Sequence, residues 1–226
     1  MTDLLQPAIA WVKTQMAITA GHDWGHIQRV MKNGERLAKK EGADPVVVQL
    51  ACAMHDVVNL SKSDPRRKQA STIAAEKAAQ WLQGRLEEDR IELVYEAIKC
   101  HSFSAGFVPE SLEARVVSDA DNLDALGAIG IARTFECGGA MGCITVHPDD
   151  PLAQNRMVDD GTYTLDHFFA KLLKLGDRFY TDAGKEESSR RMEFMEGFIR
   201  ELYFEVTGRE AQSVFDDIVD VCIHGT

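Results

Sequence analysis

PVVVQLACAMHDVV, residues 45–58, is the run that decides how this chain folds. Asp44 ahead of it offers an N-cap oxygen and Pro45 a preset φ at the first helical position, so the run opens as a helix. Being apolar nearly all round, that helix belongs at the centre of a bundle, with His55 and Asp56 at its C-terminal end. On the N-terminal side, Gly42 closes an amphipathic helix from about Asp23 to Lys40 whose Ile27, Val30, Met31 and Leu37 share one face. A further helix precedes it over residues 3–18. On the C-terminal side, the polar loop NLSKSDPRRKQAS (59–71) leads to an alanine-rich helix ending near Gly84, and a helix over 88–100 delivers His101 at its end. SLEARVVSDADNLDALGAIGIARTFE (111–136) reads as one more helix, its Ala and Gly positions suited to close packing. Residues 137–163 gather Gly, Pro, Asp and Asn into the longest irregular stretch, a lid candidate; helices over 164–180 and 183–206 and a last short one follow. With six prolines and few alternating runs, the pattern is all-α, and no linker or repeat divides it, so a single domain over 1–226 is expected.

Length and charge narrow the function. At 226 residues, 45% hydrophobic and 27% charged, the chain buries roughly 70% of its unfolded surface in a core. Its 25 basic and 36 acidic residues leave a net charge of −11, which repels polyanions and argues against a dedicated nucleic-acid binder, so any phosphate site must be built locally. Five cysteines, odd in number and without CxxC spacing, indicate neither a disulfide framework nor a zinc ribbon; a reducing, cytoplasmic setting is expected. The first twenty residues lack a basic start and a signal-type apolar core, and no run approaches the ~18 apolar residues of a membrane span.

Four of the seven histidines, His22, His26, His55 and His101, sit near helix ends in the first half, beside acids. In GHDWGHIQRV, His22, Asp23 and His26 project from one helical face. His55 and Asp56 are adjacent in an apolar helix, where an imidazole and a carboxylate without partners are costly to bury; a cation would satisfy both. They diverge by about 100° around the axis, so other helices must supply the remaining ligands. VVSDADNLDALG adds Asp119, Asp121 and Asp124 amid apolar neighbours, the last two on one face. Each piece also has a plain reading: a hydrogen-bonded core pair, a solvated acidic face, a histidine that orients a helix start.

Taken in order, HDWGHIQRV, AMHDVVN, HSFSAG, DADNLDALGAIGIAR and KLLKL resemble segments of the HD superfamily of metal-dependent phosphohydrolases, in particular its stand-alone bacterial members, from about Ala20 to Glu205. The resemblance implies a helical HD domain with a metal-binding core over about 20–135 and a C-terminal helical part over 164–226. It also implies one divalent ion on His26, His55, Asp56 and Asp121; Asp121 is preferred to Asp119 because it precedes the Asn-Leu step in the family's register. Where relatives of this branch commonly carry Arg, this chain has Asn122, which removes a local positive charge. A mixed nitrogen and oxygen site suits Mn2+ first, and also Mg2+, Fe2+, Ni2+ or Zn2+. Four protein ligands leave positions open for water and a phosphate oxygen, as attack of metal-bound water on phosphorus requires. Asp56 is expected to orient that water while ligating. His101, in the HSFS segment, is expected to touch phosphate or protonate the leaving oxygen, with a capping or core role as the plain alternative. Substrate contacts are assigned to Asp124, to Lys174 of KLLKL, and to Lys62, Arg66, Arg67 and Lys68, whose plain alternative is a solvated loop.

GGAMG (138–142) lacks a preceding strand and a phosphate-loop ending, which removes kinase and dinucleotide readings, and Cys52 and Cys100 read as core fillers. The expected function is hydrolysis of a small phosphorylated metabolite, a nucleotide by preference, with cleavage of nucleoside triphosphates to monophosphate and pyrophosphate as its sharper form. A non-catalytic nucleotide sensor and a di-iron HD-type oxygenase are the competing classes. The oxygenase calls for extra histidines between the HD pair and Asp121, and only His101 lies there. Phe194, Met195, Phe198 and Ile199 suit either core or a homodimer contact.

Overall fold

The computed structural model describes residues 4–15, 24–58, 60, 64–102 and 106–211. Among them the chain is all-α: α1 (Leu5–Gln15), α2 (Trp24–Glu41), α3 (Pro45–Met54), α4 (Ala70–Leu82), α5 (Glu88–Cys100), α6 (Leu112–Leu123), α7 (Gly127–Met141), α8 (Asp166–Ala170) and α9 (Asp182–Thr207). Short 3-10 turns lie at Arg67–Gln69 and Leu172–Arg178. No helix among the described residues is long and apolar enough to cross a membrane. Two compact units result, one of residues 1–124 with 180–184, the other of 125–179 with 185–226. The first closes at Asp124, inside the stretch read as the metal-binding core.

In the first unit α3 is central, packing on α1, α2, α4, α5 and α6. Its start is capped as its sequence dictates: Asp44 accepts from the backbone N–H groups of Val46 (2.9 Å) and Val47, with Pro45 at the first turn. Val47, Val48, Leu50, Ala51, Cys52, Ala53 and Met54 are all buried, the larger ones contributing roughly 1.5–3 kcal/mol each. α4 and α5 form an antiparallel hairpin through a turn that opens at Gly84 (φ +70°), so the start of α4 and the end of α5 lie at the same end of the bundle. Ser111 caps α6 by accepting from Ala114 N–H, and the Glu96 carboxylate on α5 accepts from the backbone of Glu110 and Ser111. Hydrogen bonds from those amides hold Glu96 below the usual glutamate range although burial works the other way.

Three expectations are corrected. The helix read over 111–136 is two: α6 stops at Leu123, and Gly127 at φ +71°, a conformation L side chains rarely adopt, starts α7 on a new path. α7 runs on to Met141, so the irregular stretch begins at Gly142 (φ +77°) rather than at 137. The helix read over 164–180 is a short α8 and a 3-10 turn, separated where Lys171 leaves the helical region (φ −138°, ψ −54°). The last short helix falls outside the described residues.

In the second unit Phe135, Phe168 and Phe198 form an aromatic cluster with ring centroids 5.9–6.2 Å apart. The stretch 142–165 is tied to itself. Ile144 and Tyr163 form a parallel bridge, and the guanidinium of Arg156 grips the carboxylate of Asp166, which is fully buried and also accepts from Asp159 N–H.

Candidate metal centre

Three helices of the first unit end or pass at one point. α2 carries His26 in its first turn, α3 delivers His55 and Asp56 just past its end, and α6 carries Asp121 in its last turn. His26 Nε2 lies 3.2 Å from His55 Nε2, 3.4 Å from Asp121 Oδ1 and 3.6 Å from Asp56 Oδ2. His55 Nε2 lies 3.7 Å from both Asp121 Oδ1 and Asp56 Oδ2. Neighbouring donors around one ion at ligand distances of about 2.0–2.2 Å stand roughly 3.0–3.6 Å apart, close to the separations here, and His26, His55 and Asp121 together could hold a divalent cation. Two imidazole nitrogens facing each other at 3.2 Å need a proton or an ion between them.

The nitrogens face inward because their opposite atoms are engaged. His26 Nδ1 donates to Asp124 Oδ2 at 2.7 Å, His55 Nδ1 to the Cys52 carbonyl at 2.8 Å, and His101 Nδ1 to the Ile98 carbonyl at 2.6 Å. Each histidine thereby keeps Nε2 for the site. Charge follows the same plan. Burial works against a proton on His26, yet hydrogen bonds to Asp121 and Asp124 and the charges of Asp121 and Asp56 outweigh it and raise its pKa to about 9. Burial, with His101 and His26 nearby, pushes His55 down despite Asp56 and Asp121, so it stays neutral. Burial opposes charge on Asp121 too, but the His26 hydrogen bond and the neighbouring imidazoles hold it well below the usual carboxylate range.

His26, His55 and Asp121 form one group able to hold a metal, and His55, Asp56 and His101 another. The two share His55, whose Nε2 has a single lone pair, so they amount to one ion site with His101 beside it. His101 Nε2 stands 3.9 Å from Asp56 Oδ1. The histidine side chains are 1% and 4% exposed at His55 and His26, those of Asp56 and Asp121 15% and 24%; the carboxylate edge is the way in.

Other expected residues fall elsewhere. Asp124, assigned to substrate, is fully buried, and both its oxygens are taken by His26 and by Arg29 (Nε 2.7 Å, Nη2 3.0 Å). The three acids of DADNLD thus divide. Asp121 faces the site, and Asp124 stands behind His26. Asp119, fully buried, accepts from Tyr180 N–H, Thr181 N–H and the Thr181 hydroxyl at the start of α9. Arg66, Arg67 and Lys68 are exposed at the start of α4, Arg66 bonded to Asp64; Lys174 is exposed in the second unit. Lys62, His22 and Asp23 lie outside the described residues. The sequence reading missed Arg29; its signal was present, since it follows His26 by three positions and so shares its helical face.

The HD domain family matches residues 23–126, which span the whole cluster. Bacillus subtilis YpgQ, a protein described as uncharacterized, is 31% identical over 205 residues, covering 90% of this chain and 94% of its own. The crystal structure of YpgQ in complex with ADP superposes with a TM-score of 0.70 at 32% identity, covering 92% of this chain and 98% of that one. An HD-superfamily hydrolase from Bacillus thuringiensis gives 0.71 at 34% identity with the same coverage.

Proposed function

We infer the reaction from a family premise: this chain belongs to the HD superfamily of metal-dependent phosphohydrolases. Its substrate is a small phosphorylated metabolite, a nucleotide by preference, and release of pyrophosphate from a nucleoside triphosphate is the sharper form of the proposal. The observation that carries it is the pair of imidazole nitrogens 3.2 Å apart, each 3.4–3.7 Å from an oxygen of Asp56 and of Asp121, open to solvent on the carboxylate side. The ADP found with YpgQ supports a nucleotide.

His26, His55, Asp56 and Asp121 would hold the ion, with Mn2+ the first candidate. When bound, such an ion lowers the pKa of water and draws a phosphoryl oxygen, offsetting charge as the phosphorus centre is attacked. Asp56 would orient the attacking water, a role supported by its Oδ2 lying 3.6 Å from His26 Nε2 and its Oδ1 3.9 Å from His101 Nε2. His101, its Nδ1 fixed on the Ile98 carbonyl, would turn Nε2 toward the phosphate or the leaving oxygen. Arg67 and Lys68, at the same end of the bundle as His101, bind the phosphates beyond the scissile one, and the Arg66 charge adds to theirs despite its pairing with Asp64.

Purified protein incubated with Mn2+, Mg2+, Fe2+, Ni2+ or Zn2+ and nucleoside tri-, di- or monophosphates tests this directly. We expect turnover that falls at least ~1000-fold in His55→Ala. Equal turnover by that variant would sink the assignment. Nucleotide binding without turnover under every metal would favour the sensor instead, and two irons per chain the oxygenase.

A further inference from the structure

We propose that Asp124, gripped by Arg29, is a positioning residue that aims His26 at the metal and sets the strength of metal binding. The inference rests on the metal-site reading above and assigns to Asp124 a task other than substrate contact. Of the three histidines at the site, His55 and His101 rest their Nδ1 on backbone carbonyls of their own chain neighbourhood, three residues back. His26 alone among them rests on a side chain from another helix, the carboxylate that ends α6. A carboxylate behind a metal-bound imidazole fixes the ring's tautomer and direction and makes its other nitrogen a stronger donor.

Asp124 is fully buried, with the Arg29 guanidinium against it. Arg29 Nε and Nη2 bond both oxygens at 2.7 and 3.0 Å, a two-point grip that offsets the burial of the charge. Because Arg29 and His26 lie three apart on α2, one turn of that helix holds the carboxylate that ends α6 by two side chains. The clamp therefore fixes two things together, the rotation of the His26 ring and the separation of the helices that carry His26 and Asp121. His26 Nε2 stands 3.4 Å from Asp121 Oδ1, and a tilt of the ring would open that distance.

The test measures metal binding by calorimetry on the full chain, with Mn2+ alone, and the visible absorption of the Co2+-loaded protein. Asp124→Asn keeps the shape and removes the charge; Arg29→Gln, at a side chain 32% exposed, loosens the grip with less risk to folding; Arg29→Lys keeps a cation but not the fork. We expect Mn2+ affinity to fall about 10- to 100-fold in Asp124→Asn and by a smaller factor in Arg29→Gln, with Arg29→Lys between Arg29→Gln and the parent. The Co2+ spectrum should shift in Asp124→Asn, which a loss of stability alone would not cause. Unchanged affinity and an unchanged spectrum in Asp124→Asn overturn the proposal; should that variant not fold, the same result in Arg29→Gln does so. A parent chain that binds none of Mn2+, Mg2+, Fe2+, Ni2+ and Zn2+ defeats the metal-site reading itself, whereas one that binds a metal without hydrolysing nucleotides defeats only the proposed reaction.

Discussion

His26 shows how a single residue carries the logic of the site. Its ring lies between Asp124 behind and Asp121 and Asp56 in front, and these acids raise its pKa from 6.5 to about 9 despite burial. In the metal-free protein a protonated His26 therefore stabilises the fold; that contribution is complete below 6.5 and is lost as pH rises through 9. The melting temperature of EDTA-treated protein should fall across pH 6.5–9, and the fall should flatten in His26→Gln. The same proton competes with the cation. Mn2+ binding should release a proton and weaken by up to about tenfold per pH unit below 9, read by calorimetry in buffers of different ionisation enthalpy. From the sequence, His26 was legible as a candidate ligand, but its partner Asp124 was not legible as such. A carboxylate two positions past Asn122 can face solvent, substrate or a histidine, and only the contact partner distinguishes these.

At the scale of the helices, the spacing between α2 and α3 sets the distance between His26 and His55. Gly34 on α2 permits it: a Cβ there would stand 2.7 Å from Cys52 Sγ and 3.1 Å from Val48 Cγ1, both on buried α3. Gly34→Ala should destabilise by about 1–3 kcal/mol in urea unfolding and lower metal affinity as the helices part. α2, α3 and α4 were legible because their signals are local: a cap at Asp44 and a proline at the first turn of α3, and glycines after α2 and α4. The break between α6 and α7 was hidden inside DADNLDALGAIG, where apolar spacing runs on through Asp124 while the backbone turns at Gly127. Glycine is tolerated in helices, so its sequence position alone does not announce a positive φ.

For the molecule as a whole, the first unit contains the entire proposed ligand set, and the second has a buried ion pair of its own. Arg156→Met would leave the buried Asp166 carboxylate without its guanidinium and should cost about 3 kcal/mol in chemical unfolding, while metal binding, whose ligands all lie in the first unit, persists. Simultaneous loss of metal binding in a folded Arg156→Met protein would show that the units do not act separately. The grip of Arg156 on Asp166 also explains why 142–165 holds a defined path although it forms no helix.

What the sequence by itself determined is the all-α class, the central place of residues 45–54 and the residue types of the site, because helix periodicity, caps and unpartnered polar groups in apolar runs are properties of neighbours along the chain. Asp121 was preferred as the ligand through the family register, and only the tertiary structure decided that Asp124 stands behind His26 and that Asp119 holds the start of α9. Asp119, Asp121 and Asp124 have nearly the same surroundings in sequence, yet three different elements meet them in space. A carboxylate's work is set by the donor it meets there, the start of α9, the Nε2 atoms or the Arg29 fork.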